Sequence, residues 1–142
     1  MAENNSLRVR LVTPEKIFID GTADSVSLPS ATGYLEVLYA HAPLLAELGP
    51  GDVTMHGGDV GDQRLFVAQG FVEVLPDRVT ILAEGAIPPS EINVAEARQE
   101  LEHGQKMWNE AGDEARRYVD ANRVIREAEE RIASAERAGK SA

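Results

Sequence analysis

The chain has 142 residues, of which 43% are hydrophobic and 27% are charged, and this is enough for one folded core with a smaller appendage. Acidic residues outnumber basic residues by 24 to 14, so the formal charge of −10 disfavours nucleic acid and anionic lipid headgroups as partners. Cysteine is absent, which excludes disulfides and thiolate metal sites. The first residues, MAENNS, lack the features of a signal peptide, and no apolar run approaches the roughly 20 residues that span a bilayer. We therefore expect membrane association only through a partner.

Short strands separated by turns are predicted from Leu7 to about Ala86. Leu7, Val9 and Leu11 alternate with arginines, which is the two-residue period of a half-buried strand. Similar patterns occur at 25–28, 53–56, 71–75 and 79–83, and nine of the twelve glycines lie in this half of the chain. The pattern indicates an antiparallel sandwich or flattened barrel. It predicts a turn at Asp20-Gly21, a hairpin tip at 57–62, and a bulge or close backbone approach at Gly70.

The composition changes at Pro88-Pro89-Ser90, where two prolines end the strand pattern and Ser90 is a candidate helix N-cap. The chain from 92 to 110 is rich in helix-forming residues, and Gly112-Asp113 interrupts it. We expect Asp113 to cap a second helix. The sequence therefore predicts two helices after the strands.

The second helix carries one narrow apolar stripe, formed by Ala115, Tyr118 or Val119, Asn122, Ile125, Ala128, Ile132 and Ala135. Glu127 lies four residues from both Arg123 and Arg131, which favours two ion pairs on the helix surface. Because stripes rich in alanine bury little apolar area, we expect the helical pair to be a weakly docked and mobile element.

No constellation for catalysis, metal binding or cofactor binding is recognisable. His41, His56 and His103 are predicted in a loop, a strand and a helix, without the spacing of a metal site. The glycines at 57–61 lack the lysine and hydroxyl residue of a phosphate loop, and their neighbouring aspartates would repel phosphate. We therefore expect no catalytic residue, no metal and no cofactor.

The stretch GYLEVLYAHAPLL, residues 33–45, contains residues that suit either a structural role or contact with a partner. A lone loop histidine such as His41 is most often a structural hydrogen-bonding residue, with partner contact as the next reading. Leu44 and Leu45 are expected to re-enter the core. Tyr34 and Tyr39 are ambiguous, because amphipathic tyrosines are enriched where one protein meets another.

The order and spacing of several motifs resemble the epsilon subunit of F-type ATP synthases. The residues that carry the resemblance are Thr13-Pro14-Glu15, Phe18, Gly21, Val26, Leu28-Pro29, Gly33, His41-Ala42-Pro43-Leu44-Leu45, Leu48, Pro50-Gly51 and Gly70-Phe71-Val72-Glu73-Val74, followed by Val79 to Ala83. The resemblance implies a ten-stranded antiparallel β-sandwich over residues 1–88 and a C-terminal antiparallel α-helical hairpin over residues 89–142.

The resemblance also implies a function. Such a subunit is a non-catalytic part of the rotating central stalk that binds the gamma subunit and the c-ring and couples proton translocation to ATP synthesis. Its C-terminal helices can reach the catalytic alpha/beta hexamer and restrain ATP hydrolysis. The implied location is peripheral, on the cytoplasmic face of the bacterial plasma membrane. The membrane would be met only through the complex.

The implied partner-binding residues depart in part from the family pattern. On the c-ring side they are Tyr34, Glu36, Tyr39, Ala40 and His41, where Tyr34 replaces the usual glutamate and Tyr39-Ala40 replaces the usual Pro-Gly. On the regulatory tail they are Arg116, Arg117, Arg123 and Arg126. We expect the contact region to carry over without its polar detail.

Some bacterial family members bind ATP through a first-helix Ile/Leu-Asp-x-x-Arg-Ala motif and arginines of the second helix. The motif positions here read Ile92-Asn93-Val94-Ala95-Glu96-Ala97, so both its aspartate and its arginine are missing. Arg123 and Arg126 remain as weak candidates for a phosphate contact.

Without the resemblance, the sequence predicts a stand-alone β-sandwich module that binds protein or carbohydrate. Such a module needs an exposed aromatic platform, and most of the three Tyr, three Phe and one Trp occupy positions expected to be buried.

Overall fold

The computed structural model describes residues 6–139 and divides after Ile87 into two compact units. The first unit contains the strands and the second, from Pro88, contains the helices. Residues 1–5, which make up most of the MAENNS segment, lie outside the described residues, as do residues 140–142.

The first unit is a sandwich of ten strands, which confirms the expected strand number. Their bounds are β1 Leu7–Val12, β2 Ile17–Ala23, β3 Ser25–Ser30, β4 Gly33–Leu38, β5 Leu44–Glu47, β6 Gly51–His56, β7 Gln63–Val67, β8 Gly70–Leu75, β9 Arg78–Ala83 and β10 Ala86–Ile87. Sheet A has the order β2-β1-β9-β8-β5, and sheet B has the order β10-β7-β6-β3-β4. All strand pairs are antiparallel except β1 with β9, which are parallel.

The core lies between the two sheets and is built from alternate residues of nearly every strand. In β1, Leu7, Val9 and Leu11 are fully buried while Arg8 and Arg10 are exposed. Sheet B contributes, among others, Val26, Leu28, Val37, Val53 and Met55. The two-residue period thus assigns each side chain either to the core or to an outer face, as the sequence indicates.

The predicted turn at Asp20-Gly21 is wrong, because both residues lie inside β2, where Gly21 pairs with Val9. The chain instead reverses earlier, where the Thr13 N–H donates to the Lys16 carbonyl at 2.9 Å. A Cβ at position 21 would lie 2.6 Å from Asp59 Oδ1 and 2.8 Å from Val60 Cγ1. Glycine is therefore required here by close packing against the β6–β7 loop.

The β6–β7 loop, residues 57–62, joins sheet B to the edge of sheet A through Thr22. The Thr22 N–H donates to Asp59 Oδ1 at 2.6 Å, and the Asp59 N–H donates to the Thr22 hydroxyl at 3.1 Å. The Val60 N–H donates to the Thr22 carbonyl at 3.0 Å. The Thr22 N–H, with help from its hydroxyl, lowers the pKa of the Asp59 carboxyl. We call these bonds the Thr22–Asp59 clasp.

Gly70 confirms the expected close backbone approach. It begins β8 with a φ of 145°, and a Cβ there would collide with the Leu82 carbonyl and lie 2.9 Å from the Ala83 Cα. No side chain fits between these two strands at that point.

The second unit begins with a 3₁₀ turn over Pro89–Glu91 and contains α1 Val94–Asn109 and α2 Ala115–Arg137. The expected cap at Ser90 is wrong, because Asn93 caps α1 and its side chain accepts the Glu96 N–H at 3.0 Å. The expected cap at Asp113 is also wrong. Glu114 occupies the N-cap of α2 and makes no side-chain capping bond.

The buried stripe of α2 matches the prediction at Ala128 and Ala135 and differs from it in the first half of the helix. Ala121, Ala128 and Ala135 are buried, whereas Val119 is 67% exposed and Asn122 is exposed, so the stripe runs through Tyr118 and Ala121. Of the two expected ion pairs, Arg131–Glu127 is present at 3.0 Å. Arg123 instead pairs with Asp120 at 3.7 Å, one turn earlier in the helix.

The Thr22–Asp59 clasp predicts a pH-dependent contribution to stability. In Asp59→Ala the free energy of unfolding should fall at pH 7, because the anionic acceptor of the Thr22 N–H is lost. Since the folded-state pKa of Asp59 lies below its unfolded value, this contribution is complete above the unfolded pKa and disappears as the pH falls through the folded pKa. Urea unfolding from pH 7 to pH 2.5 should therefore show the stabilities of wild type and variant converging in acid.

Glu84→Ala is the matched control, because the Glu84 side chain is exposed. A gap between wild type and Asp59→Ala that stays constant down to pH 2.5 would contradict the assignment of the clasp to an ionised carboxylate.

Candidate functional site

The three histidines stay apart, in the turn after β4, in β6 and in α1, as the sequence predicts. His41 Nδ1 lies 2.7 Å from the Ala42 carbonyl, and His56 Nδ1 lies 3.8 Å from Asp62 Oδ1. Between residues 6 and 139, no three metal-ligating side chains form a cluster. In the same range, no helix has the length and apolar character to cross a bilayer.

The stretch from Gly33 to Leu45 is an edge strand, a tight turn and the start of a second edge strand. Tyr34, Glu36 and Leu38 point away from the core on β4, while Val37 is buried. Ala40 has a φ of 72°, a left-handed conformation that favours glycine. Its N–H donates to the Pro76 carbonyl at 2.7 Å, and the His41 N–H donates to the Leu38 carbonyl at 3.1 Å. The turn thus keeps a glycine-type conformation with an alanine.

Tyr34 lies across its own sheet. Its hydroxyl accepts the Asp52 N–H at 3.1 Å, and a Cβ at Gly51 would collide with that hydroxyl. The β3–β6 ladder ends at Ser27 and Thr54, so the hydroxyl reaches past β3 to meet the β6 backbone. The polar end of Tyr34 therefore supports the fold, while 55% of the residue stays exposed.

The expectation that both Leu44 and Leu45 enter the core is correct only for Leu44. Leu44 pairs with Val74 and packs against the core, whereas Leu45 pairs with Glu73 and is 72% exposed. The reason is the strand period. Adjacent residues of β5 point to opposite faces, and the hydrophobicity of both leucines hides this alternation.

An exposed apolar row crosses the outer face of sheet A, and the sequence reading missed it. The strand register places Ile17 beside Val12, Val12 beside Leu82, and Leu82 beside Phe71. Ile17, Phe71 and Leu82 are each more than half exposed. Exposed Leu45 lies on the same face, on the strand next to Phe71. We call Ile17, Val12, Leu82, Phe71 and Leu45 the sheet A row.

The sequence feature that could have revealed the sheet A row is the presence of apolar residues at the alternate strand positions that face solvent. Phe71 alternates with buried Val72 and Val74, and Leu82 alternates with buried Ile81 and Ala83. Phe71 and Leu82 therefore lie on the outer face of sheet A and do not contribute to the core.

Basic groups flank the sheet A row on the same face. Arg8 and Arg78 are cross-strand neighbours, and Arg10 lies opposite Asp20 and Thr80. Asp20 Oδ1 lies 2.7 Å from Arg8 Nη2, and Asp20 Oδ2 lies 4.0 Å from Arg10 Nε. In a chain of net charge −10, this face holds three of the five basic residues found before Pro88.

Four arginines mark the first half of α2, namely Arg116, Arg117, Arg123 and Arg126, and all are exposed. The first turn of this helix holds no acidic residue, so Arg116 and Arg117 oppose the helix dipole. Arg117 pairs with Glu114 at 3.3 Å. Asn93, which stands where the ATP motif has aspartate, is engaged as the cap of α1.

The expectation that most aromatic residues are buried is wrong. Four of the seven are substantially exposed, namely Tyr34, Tyr39, Phe71 and Trp108. They occupy different elements, β4, the turn after it, β8 and α1.

Tyr34→Phe is predicted to lower the free energy of unfolding by about 1 kcal/mol, because the Asp52 N–H loses the hydroxyl that accepts it. Tyr39→Phe is the matched control, since Tyr39 lies in the adjacent turn and is also partly exposed. Urea unfolding of both variants at pH 7 measures the difference. Equal stability of Tyr34→Phe and wild type would show that the hydroxyl does not support the sheet.

Comparison with known proteins shows which family this chain resembles. A sequence model described as the ATP synthase delta/epsilon chain β-sandwich domain matches residues 6–89. The ATP synthase epsilon chain of Koribacter versatilis is 38% identical over 112 residues, 78% of this chain and 77% of the relative. The epsilon chain of Halalkalibacterium halodurans is 39% identical over 127 residues, 89% of this chain and 95% of the relative.

Solved structures show the same fold. A chain of the Euglena gracilis mitochondrial ATP synthase, in an assembly of OSCP, F1 and c-ring, matches with a TM-score of 0.78 at 18% identity, covering 94% of this chain and 84% of that chain. A chain of the Tetrahymena thermophila central stalk and c-ring matches with a TM-score of 0.65 at 13% identity, covering 98% of this chain and all of that chain. With the sequence matches over most of the chain, these findings confirm the expected family: the chain belongs to the ATP synthase epsilon chains.

Proposed function

We propose that this chain is a non-catalytic rotor subunit of the central stalk of an F-type ATP synthase, and that it couples proton translocation to ATP synthesis. The observation that carries the proposal is the sheet A row, an apolar strip across the five strands of sheet A in which Ile17, Leu82, Phe71 and Leu45 are more than half exposed. The epsilon chain family supplies the identity of the complex. Family membership disfavours the alternative of a stand-alone binding module.

The sheet A row is the proposed contact with the gamma subunit. An apolar strip next to charged residues matches the usual anatomy of a protein interface, where apolar anchors are surrounded by a polar rim. Phe71 lies between Leu82 and the edge strand β5, so it is the natural anchor. Arg8, Arg10 and Arg78 would then meet carboxylates or carbonyl groups of the partner at the rim.

The β4 edge and its turn are the proposed contact with the c-ring. This surface comprises Tyr34, Glu36, Tyr39, Ala40 and His41, with Leu38 exposed between them. Because the Tyr34 hydroxyl is bonded to the Asp52 N–H, Tyr34 would offer its ring to the c-ring. Glu36 would supply the one carboxylate of this surface.

The second unit is the proposed regulatory element. Arg116, Arg117, Arg123 and Arg126 leave the first half of α2 cationic, which suits acidic groups of the catalytic alpha/beta hexamer. In this role the helices would restrain ATP hydrolysis. The subunit would lie peripherally at the cytoplasmic face of the bacterial membrane and meet that membrane only through the complex.

Phe71→Ala is predicted to weaken binding to gamma by about 2 kcal/mol, or about 30-fold in Kd, because it removes a central apolar anchor. Folding stability should change little, since the Phe71 side chain is more than half exposed. Binding of the chain to an F1 complex depleted of its epsilon subunit, measured by surface plasmon resonance, tests this. Val119→Ala, a truncation of an exposed apolar residue on α2, is the control that should bind like wild type.

Truncation after Pro89 is predicted to leave assembly intact and to raise the rate of ATP hydrolysis, because the sandwich with both proposed stalk contacts remains and the arginine-bearing helix is removed. Hydrolysis by F1 reconstituted with the full or truncated chain measures the effect. An unchanged rate with full incorporation of the truncated chain would contradict the regulatory role of the helices.

A further inference from the structure

One tyrosine ties the two helices and their connecting turn together. The Tyr118 ring in the first turn of α2 stands edge-on to Trp108 in the last turn of α1, with centroids 4.7 Å apart and an interplanar angle of 77°. The Tyr118 hydroxyl donates to the carbonyl of Gly112, in the turn, at 2.8 Å. Gly112 has a φ of 63°, so this turn already uses a conformation that favours glycine.

The residues of α1 and α2 that are buried are, apart from Val94, small ones. At Gly104 the two helices approach so closely that a Cβ would lie 2.8 Å from Ile125 Cγ1 and 3.1 Å from the Ile125 nitrogen. Ala121 and Ala128 are the buried residues on either side of Ile125 in α2. Each of these residues buries little apolar area. The edge-on aromatic contact and the Tyr118 hydrogen bond therefore add to a helix pair whose buried side chains are small.

The start of α2 has few other stabilising features. Its N-cap, Glu114, makes no side-chain capping bond, and its ion pair with Arg117 is exposed to solvent. Arg116 and Arg117 also oppose the helix dipole. Tyr118 lies within this first turn. Its contacts with Trp108 and Gly112 hold a segment whose local sequence only weakly favours a helix start.

We propose that Tyr118 is a latch that holds α1 and α2 together, and that its release sets how often the hairpin opens. The regulatory consequence rests on the proposed function, because opening frees the segment from Arg116 to Arg126 to reach the catalytic hexamer. The latch itself is a property of this chain and is measurable without any partner.

Pulsed electron paramagnetic resonance on the full chain tests the latch directly. The chain contains no cysteine, so spin labels attach only at the introduced cysteines of Arg98→Cys and Glu129→Cys, both at exposed positions on α1 and α2. Contacts of Trp108 with Tyr118 and of Gly104 with Ile125 make the helices antiparallel, so these labels lie toward the end of the hairpin away from its turn. A separation of the helices lengthens the distance between the labels.

Tyr118→Ala should raise the ratio of open to closed hairpins about tenfold, since it removes both the aromatic contact and the hydrogen bond. Tyr118→Phe keeps the ring and loses only the hydrogen bond, so it should give an intermediate ratio. Val119→Ala is the matched control, because Val119 is the next residue and points to solvent. Far-UV circular dichroism confirms that each variant remains helical.

Distance distributions of Tyr118→Ala and Tyr118→Phe that match those of wild type and Val119→Ala would overturn the latch. If Tyr118→Ala unfolds α2, Tyr118→Phe still decides the question. Hydrolysis by reconstituted F1 separates the two proposals. An opened hairpin with slower hydrolysis supports both, whereas an opened hairpin with unchanged hydrolysis supports the latch and contradicts the regulatory role.

Discussion

Burial between two facing sheets is the constraint on which the sandwich and its outer surfaces depend. Each strand gives alternate residues to the core, so its remaining residues must lie on an outer face. Sheet A uses these outer positions for the sheet A row and its flanking arginines. The same packing that stabilises the core therefore fixes the position of each proposed anchor on a rigid surface. A rigid surface loses little conformational entropy when a partner binds.

The two sheets are also joined at their corners, where glycine allows close approach. The β6–β7 loop reaches Thr22 because Gly21 leaves space for Asp59 and Val60. Where the chain passes from β5 toward β6, the Leu48 N–H donates to the Gly70 carbonyl of sheet A at 2.9 Å, and Leu48 also forms a bridge with Ser30 of sheet B. These connections hold sheet A against sheet B, of which β4 is an edge strand. The two proposed contacts therefore belong to the same β-sandwich.

The sequence predicts the strands and helices well because their periods are clear, and the family resemblance adds the number of strands. Prediction from the sequence fails at residues whose surroundings depend on the strand register or on a contact far away in the chain. The local sequence at Gly21 favours a turn, but packing against Asp59 and Val60 in the β6–β7 loop requires this glycine. Hydrophobicity alone places Leu45 in the core, because it does not reveal which face of the strand a residue occupies, and Leu45 is exposed. Tyr34 pairs with a backbone group of a non-adjacent strand, and no local pattern encodes such a contact. The sequence predicts partner contacts at the β4 edge and its turn and on α2, whereas the sheet A row is recognisable only once the strand register is known.

The proposed contact of this subunit with gamma in the central stalk is the outer face of sheet A. Hydroxyl-radical footprinting of the chain, free and bound in reconstituted F1, tests it most directly because the reaction reports side-chain exposure residue by residue. Binding through this face should strongly protect Phe71, Leu82 and Ile17, which are more than half exposed in the chain by itself. Unchanged reactivity at these three residues in the assembled complex would contradict it.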